Sequence, residues 1–409
     1  MLWLVVALGT GLRVALAFAF YGHAFDVGSY LAVYAALQHD PLHVYSHINS
    51  LPILGGALYL YRWPYPPGYF PWIVAMVRLA DVTHLPFHGL IKLLPIAADG
   101  ALAYLVQSQL GRDGASSAVR LAAAALVALG PAFILTSAYQ GQLDSIAMLP
   151  AVAAVVLWTR STAASRAPWA GLLVGAGGLL KTVPFLMLLA LLPTARSRRE
   201  AATLVAAAVA LPLLGLLPFA VADATGLGRL THYAGVYGLG GLSLVIQPAQ
   251  AGFWLTGRLV QPSGAFLALA RYGSLFSVAA LALTAVALFR ARVAPLQAAA
   301  AIWLVVYVAG AGFAFQYLVW GLPFFLMRGH LGAVAVVQGL ILIPALEFYG
   351  YLSPPHATAV FVALMLLLWV GFLVAIARAA WHLRPPPAGP TVPPPASPWA
   401  PPSFPAGRG

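Results

Sequence analysis

Long apolar runs separated by short polar joints organise this chain. The runs fall at approximately 2–20, 89–109, 119–138, 143–159, 168–180, 183–195, 201–221, 264–289, 295–313, 317–328, 331–348 and 356–379. Several approach the ~20 residues an α-helix needs to cross the hydrocarbon core. The pattern predicts an all-α polytopic membrane protein with about 12 transmembrane helices. One interruption is much longer than the rest. As far as Phe70 the chain after Tyr21 is rich in polar and aromatic residues, and a first loop carrying juxtamembrane helices is expected over 21–88.

The loop charges orient the bundle. One set of run ends carries Arg112 and Arg120, Arg160 and Arg166, Arg196 to Arg199, Arg290 and Arg292, Arg328, and Arg378. The positive-inside rule places that set in the cytoplasm, with both termini. The first loop and the joints at 139–144, Lys181, 223–264, 316–317 and 347–356 then lie outside. Two stretches test this alternation. The run 69–80 is short and follows Pro64, Pro66 and Pro67, so it is expected along the outer interface. The stretch Trp169–Leu192 has basic flanks on both sides and must cross an even number of times. Two short helices meeting at Lys181 satisfy that, a form tolerated where helices line a polar cavity.

Composition narrows the function. Of 409 residues, 62% are hydrophobic and 7% charged, against about 25% charged in soluble domains. A net charge of +12 would suit nucleic acid, but the cations sit in loops, where topology and anionic headgroups account for them. The absence of cysteine excludes disulfides and thiolate metal sites. No P-loop, HExxH or GxSxG occurs. Residues 2–20 contain Arg13 and have no basic lead, so they are expected to be a retained span rather than a cleaved signal. The chain divides into a transmembrane domain, 1–383 (first loop 21–88), and a Pro-rich cytoplasmic tail, 384–409, expected to be disordered.

The chemistry-bearing residues gather in the outer joints. Asp26 follows the first run and is a carboxylate at a membrane surface, four residues before Tyr30. Asp26 is read as a general base; the competing reading is a solvated loop aspartate. Arg62 and Tyr65 close the same loop. Gln140, Gln142 and Asp144 form a polar turn suited to sugar hydroxyls, or to helix capping. Lys181 precedes a half-helix start at Thr182-Val183-Pro184 and is a candidate phosphate site, or a snorkelling lysine. Arg229 and His232 are further phosphate candidates, and Gln316 and Tyr317 cap a late helix pair. Asp99 lies mid-span, where an ionisable group is costly. It is expected to be a supporting residue paired with Lys92, Gln107 or a backbone amide.

In this order the chain resembles the GT-C superfamily of membrane glycosyltransferases. The resemblance rests on Phe25-Asp26 after the first span, on Pro64-Tyr65-Pro66-Pro67 in the same loop, and on Lys92 to Asp99. It continues through Tyr139-Gln140-Gly141-Gln142-Leu143-Asp144, Gly175-Ala176-Gly177-Gly178-Leu179-Leu180-Lys181-Thr182-Val183-Pro184 and Gln316-Tyr317-Leu318-Val319-Trp320. It implies a GT-C-like bundle and an inverting transferase with Asp26 as catalytic base. The implied donor is a polyprenyl- or dolichyl-phosphate hexose, mannose favoured. The acceptor is a hydroxyl on a glycan, glycolipid or protein on the extracytoplasmic side. The implied location is a membrane that the chain crosses several times, the cytoplasmic membrane if the cell is prokaryotic. Asp26 is not in an Asp-x-Asp pair, so no cofactor is assigned, and a divalent metal is left open without a motif to support it. Two rivals remain: a transporter or lipid-linked-sugar flippase, and an oligosaccharide polymerase or ligase. The first loop also holds His23, His39, His43 and His47, with no assigned role.

Overall fold

The computed structural model describes residues 2–48, 50–53, 58–231, 235–352 and 357–382. The expectation for the tail at 384–409 lies outside the described residues. The first run forms helix α1 (Leu2–Ala19), and the chain then bends by 77° into α2 (Ala24–His39). Gly22 permits that corner. Its φ is +91°, and a Cβ there would overlap the Tyr139 carbonyl oxygen at 2.1 Å. Lys92 braces the same corner from the next span. Its Nζ donates to the carbonyls of Phe20 at 2.8 Å and Tyr21 at 3.2 Å. Those carbonyls at the end of α1 would otherwise lack donors. Gly22→Ala should therefore cost more than about 1 kcal/mol and displace the residues that follow. A lowered thermal midpoint of the detergent-solubilised protein would register it.

The first loop is not wholly helical, which departs from the all-α expectation. An antiparallel hairpin pairs β1 (Ser50–Ile53) with β2 (Leu58–Tyr61), Ser50 opposite Tyr61. The alternating Leu-Tyr-Leu-Tyr of β2 has the residue types that favour a pleated surface. The hairpin delivers Arg62 and Trp63 back toward α2. Helix α3 (Phe70–Thr83) then packs on α2. The 70–83 stretch is too short to count among the crossing helices.

The rest of the bundle comprises α4 (Leu93–Arg112), α5 (Ser117–Ala128), α6 (Asp144–Arg160), α7 (Arg166–Gly178), α8 (Arg198–Ala222), α9 (Gly264–Ala291), α10 (Pro295–Ala309), α11 (Leu318–Met327), α12 (Leu331–Phe348) and α13 (Ala357–His382). Among the described residues, six helices are long and apolar enough to cross a membrane, or seven if the bent α1–α2 pair is one span. The chain is thus a multi-pass membrane protein, but helix length does not support twelve crossings. The other runs are short or broken. Gly175 to Gly178 precede a break before Val183, and α6 and α11 each contain a proline. These shorter helices are the buried ones: Met148, Val152, Trp303, Leu318 and Phe324 are sealed in the core. The long helices α8, α9 and α13 instead expose Leu214, Leu275 and Leu367, as lipid-facing helices do.

Buried charge ties the bundle together. Arg13 of α1 and Asp99 of α4 form an ion pair at 3.3 Å, and Ser145 of α6 donates to Asp99 at 2.5 Å. Arg13 also donates to the Val127 carbonyl at 2.7 Å and to that of Ala128. The partner of Asp99 is therefore Arg13, not Lys92 or Gln107. Lys92 is spent on the end of α1, and Gln107 accepts from Arg120.

Candidate active site

The site lies where the α1–α2 corner meets the ends of α6, α11 and α12. Asp26 sits in the first turn of α2, where the helix dipole favours negative charge. Its carboxylate is nearly buried and accepts two hydrogen bonds. Gln142 Nε2 donates to Oδ1 at 2.6 Å, and His23 Nδ1 lies 2.8 Å from Oδ2. Gln142 reaches it because the chain before it makes a π-helical turn (Leu135–Gln140) that ends at Gly141 in the left-handed region, φ 76°. Such turns are rare and often mark functional sites. Tyr30 fastens α2 to the same turn, donating to the Gly141 carbonyl at 2.7 Å.

A small, partly open cavity of about 70 Å³ is lined by Asp26. Its polar lining comprises Asp26, His23, Arg62, Gln140, Gln142 and Gln316. Tyr30, Trp63 and Tyr65 continue it. Its apolar lining includes Leu239, Trp254, Phe315 and Phe348 from the later part of the chain. The Arg62 guanidinium stacks over the Phe25 ring at 5.4 Å and pairs with no carboxylate among the described residues. Among the described residues it is the arginine or lysine side chain that lines this cavity.

Lys181 is placed differently. It does not line the cavity. Its Nζ donates to Asp144 at 2.7 Å with both side chains buried, and the Trp320 indole donates to the same oxygen. The rings of Tyr65, Trp320 and Tyr317 surround the ammonium at 4.9, 5.2 and 5.9 Å. The structure thus brings Asp26, Tyr30, Arg62, Tyr65, Gln140, Gln142 and Gln316 to one cavity. Asp144, Lys181 and Tyr317 form a neighbouring layer, and Asp99 adjoins it through Ser145. Arg229 lies in a short turn (Gly228–Thr231); its side chain, and all of His232, fall outside the described residues. Among the described residues no group of three His, Cys, Asp or Glu could hold a metal ion.

Three features were not read from sequence. The histidine beside Asp26 carried a signal, a His-x-x-Asp spacing at a helix start. The apolar lining carried none, because its residues come from segments remote in sequence. The same is true of Arg13 as the partner of Asp99.

No family model matches the chain, and no curated protein matches it. Solved structures similar to it include the Archaeoglobus fulgidus oligosaccharyltransferase in the apo form, at 15% identity and a TM-score of 0.42. Another is the archaeal oligosaccharyltransferase AglB from Archaeoglobus fulgidus in complex with an inhibitory peptide and a dolichol-phosphate, at 15% identity and a TM-score of 0.43. Each alignment covers 93% of this chain and 56% of that structure's chain. The chain thus spans little more than half the length of the structures it resembles, and the geometry of its own cavity carries the functional reading.

Proposed function

We propose that this chain is an inverting glycosyltransferase that moves a hexose, mannose favoured, from a polyprenyl-phosphate donor to a hydroxyl acceptor on the extracytoplasmic side. The observation that carries the reading is the cavity itself: a carboxylate with fixed partners and a guanidinium that pairs with no carboxylate among the described residues line one cavity together with apolar side chains. Asp26 is the carboxylate on which general-base activation of the acceptor hydroxyl depends. Arg62 holds the donor phosphate and stabilises it as it leaves, a role its planar fork suits better than a lysine does. Gln140 and Gln316 position sugar hydroxyls, and Tyr65 offers a ring face to the sugar. The apolar lining takes the first prenyl units. Lys181, the phosphate candidate from sequence, is already neutralised by Asp144 and instead supports the floor of the site.

Transfer of radiolabelled sugar from polyprenyl-phosphate donors, with membranes containing the chain, tests this reading; no transfer from any such donor would end it. The mass of the product separates a single hexose from a preassembled glycan. Arg62→Ala should weaken donor binding by roughly 10- to 100-fold, the worth of a hydrogen bond to a charged group. Arg62→Lys should recover part of that. Titration of donor into the purified protein in nanodiscs measures both.

A further inference from the structure

The partner of Asp26 has features of a reactive group. The His23 side chain is 33% exposed against 10% for Asp26. Both Asp26 oxygens already accept hydrogen bonds, whereas His23 has one nitrogen to spare. A carboxylate at Nδ1 fixes the proton there and leaves the lone pair on Nε2. Nε2 makes no hydrogen bond among the described residues, and it is not one of the sealed unpaired polar atoms. His23 is one of the residues that line the cavity. Three rings hold the imidazole in place, Phe25 at 6.4 Å, Phe348 at 5.7 Å and Tyr349 at 6.2 Å between centroids.

We infer that His23 is the group that touches the acceptor, taking its proton at Nε2, while Asp26 fixes the imidazole through Nδ1–H and balances the imidazolium that forms. This rests on the glycosyl-transfer reading above. In the step, the acceptor O–H breaks and its proton goes to Nε2. The acceptor oxygen bonds to the anomeric carbon. The bond from that carbon to the phosphate oxygen breaks, and its electron pair leaves with the polyprenyl phosphate. The imidazolium then releases its proton to water. The division of labour is that of a carboxylate–histidine pair in acyl-transfer enzymes, built here on one turn of helix.

The pH dependence follows in sign. Burial lowers the affinity of His23 for a proton, but the hydrogen bond and charge of Asp26 outweigh it, so its pKa is raised above the ordinary 6.5. Among the described residues, the other groups at this corner are Tyr349 just after α12, Gln140 and Gln142 from the turn, Arg62 at the cavity and Lys92 beneath Gly22. Asp26 is the only anion among them. Turnover should therefore fall as pH drops through a value above 6.5, because the protonated ring cannot accept.

His23→Asn tests the inference. Its Nδ2 replaces Nδ1 as donor to Asp26 but leaves no base at Nε2. We expect turnover to fall about 10²- to 10³-fold, KM to stay within about threefold, and the acid limb to vanish from the residual rate. Retention of more than a third of wild-type turnover would overturn the assignment, as would a residual rate that keeps the same limb. If the variant does not fold, modification of wild-type His23 by diethyl pyrocarbonate, read by peptide mass spectrometry, decides. Rapid labelling that bound donor suppresses supports the proposal; an inert His23 beside reactive loop histidines refutes it. A wild-type chain that transfers no sugar would instead remove the function proposed above, so the two failures are distinct.

Discussion

Asp26→Asn should abolish most turnover, by roughly 10³-fold or more, while leaving the fold and donor binding nearly intact. The fold survives for a geometric reason. Gln142 Nε2 now donates to Asp26, while its Oε1 is buried without a partner. Turning the amide over would present that oxygen to the new Asn Nδ2, while the Asn oxygen goes on accepting from His23. An amide flip of this kind alters no shape, so the stability lost should stay near the ~1 kcal/mol of an ordinary point substitution. Catalysis does not survive, because the negative charge that the proton transfer depends on is gone. A transfer assay paired with a melt of the same preparation checks both halves. Near-normal turnover would remove Asp26 from the mechanism. A collapsed fold would show that the carboxylate's charge, not only its shape, holds the corner together.

What could be read from sequence was what depends on short-range chemistry. The Asp26 carboxylate after the first run, the Tyr139–Asp144 turn and the return of Arg62 and Tyr65 to the same end follow from hydrophobic boundaries and loop polarity, and the cavity gathers residues from all three. The crossing count was less legible. Apolarity marks a run as able to sit inside a bundle or in lipid, and the sequence of α10 and α11 does not say which. The structure buries both. The β1–β2 hairpin was hidden because its strands are four residues each, too short for a period of two to stand out among aromatic residues. Charge pairing was the least legible. Asp144 and Lys181 meet across 37 residues, and neither neighbourhood contains a cue to the other. A lone lysine between short helices reads as an anion site until its partner is visible.

That pairing yields the second large effect. Lys181→Ala should destabilise the protein by about 3–5 kcal/mol, the cost of leaving a buried charge without its partner. Asp144 is fully buried, its Oδ2 already has no hydrogen bond, and only the Trp320 indole would remain on Oδ1. The three rings around the ammonium would lose their cation as well. Removing both charges should behave differently. In Lys181→Met with Asp144→Asn, the methionine fills the aromatic cage, and the amide oxygen still accepts from Trp320. Buried ion pairs replaced by neutral groups of similar volume are often no less stable, so most of the lost stability should return. The double variant also separates the two roles of Lys181. If the lysine supports the floor of the site, donor affinity in the double variant should stay near wild type, and Arg62 alone should govern it. A loss of tenfold or more in donor binding, in a double variant whose thermal midpoint is restored, would return the phosphate to Lys181.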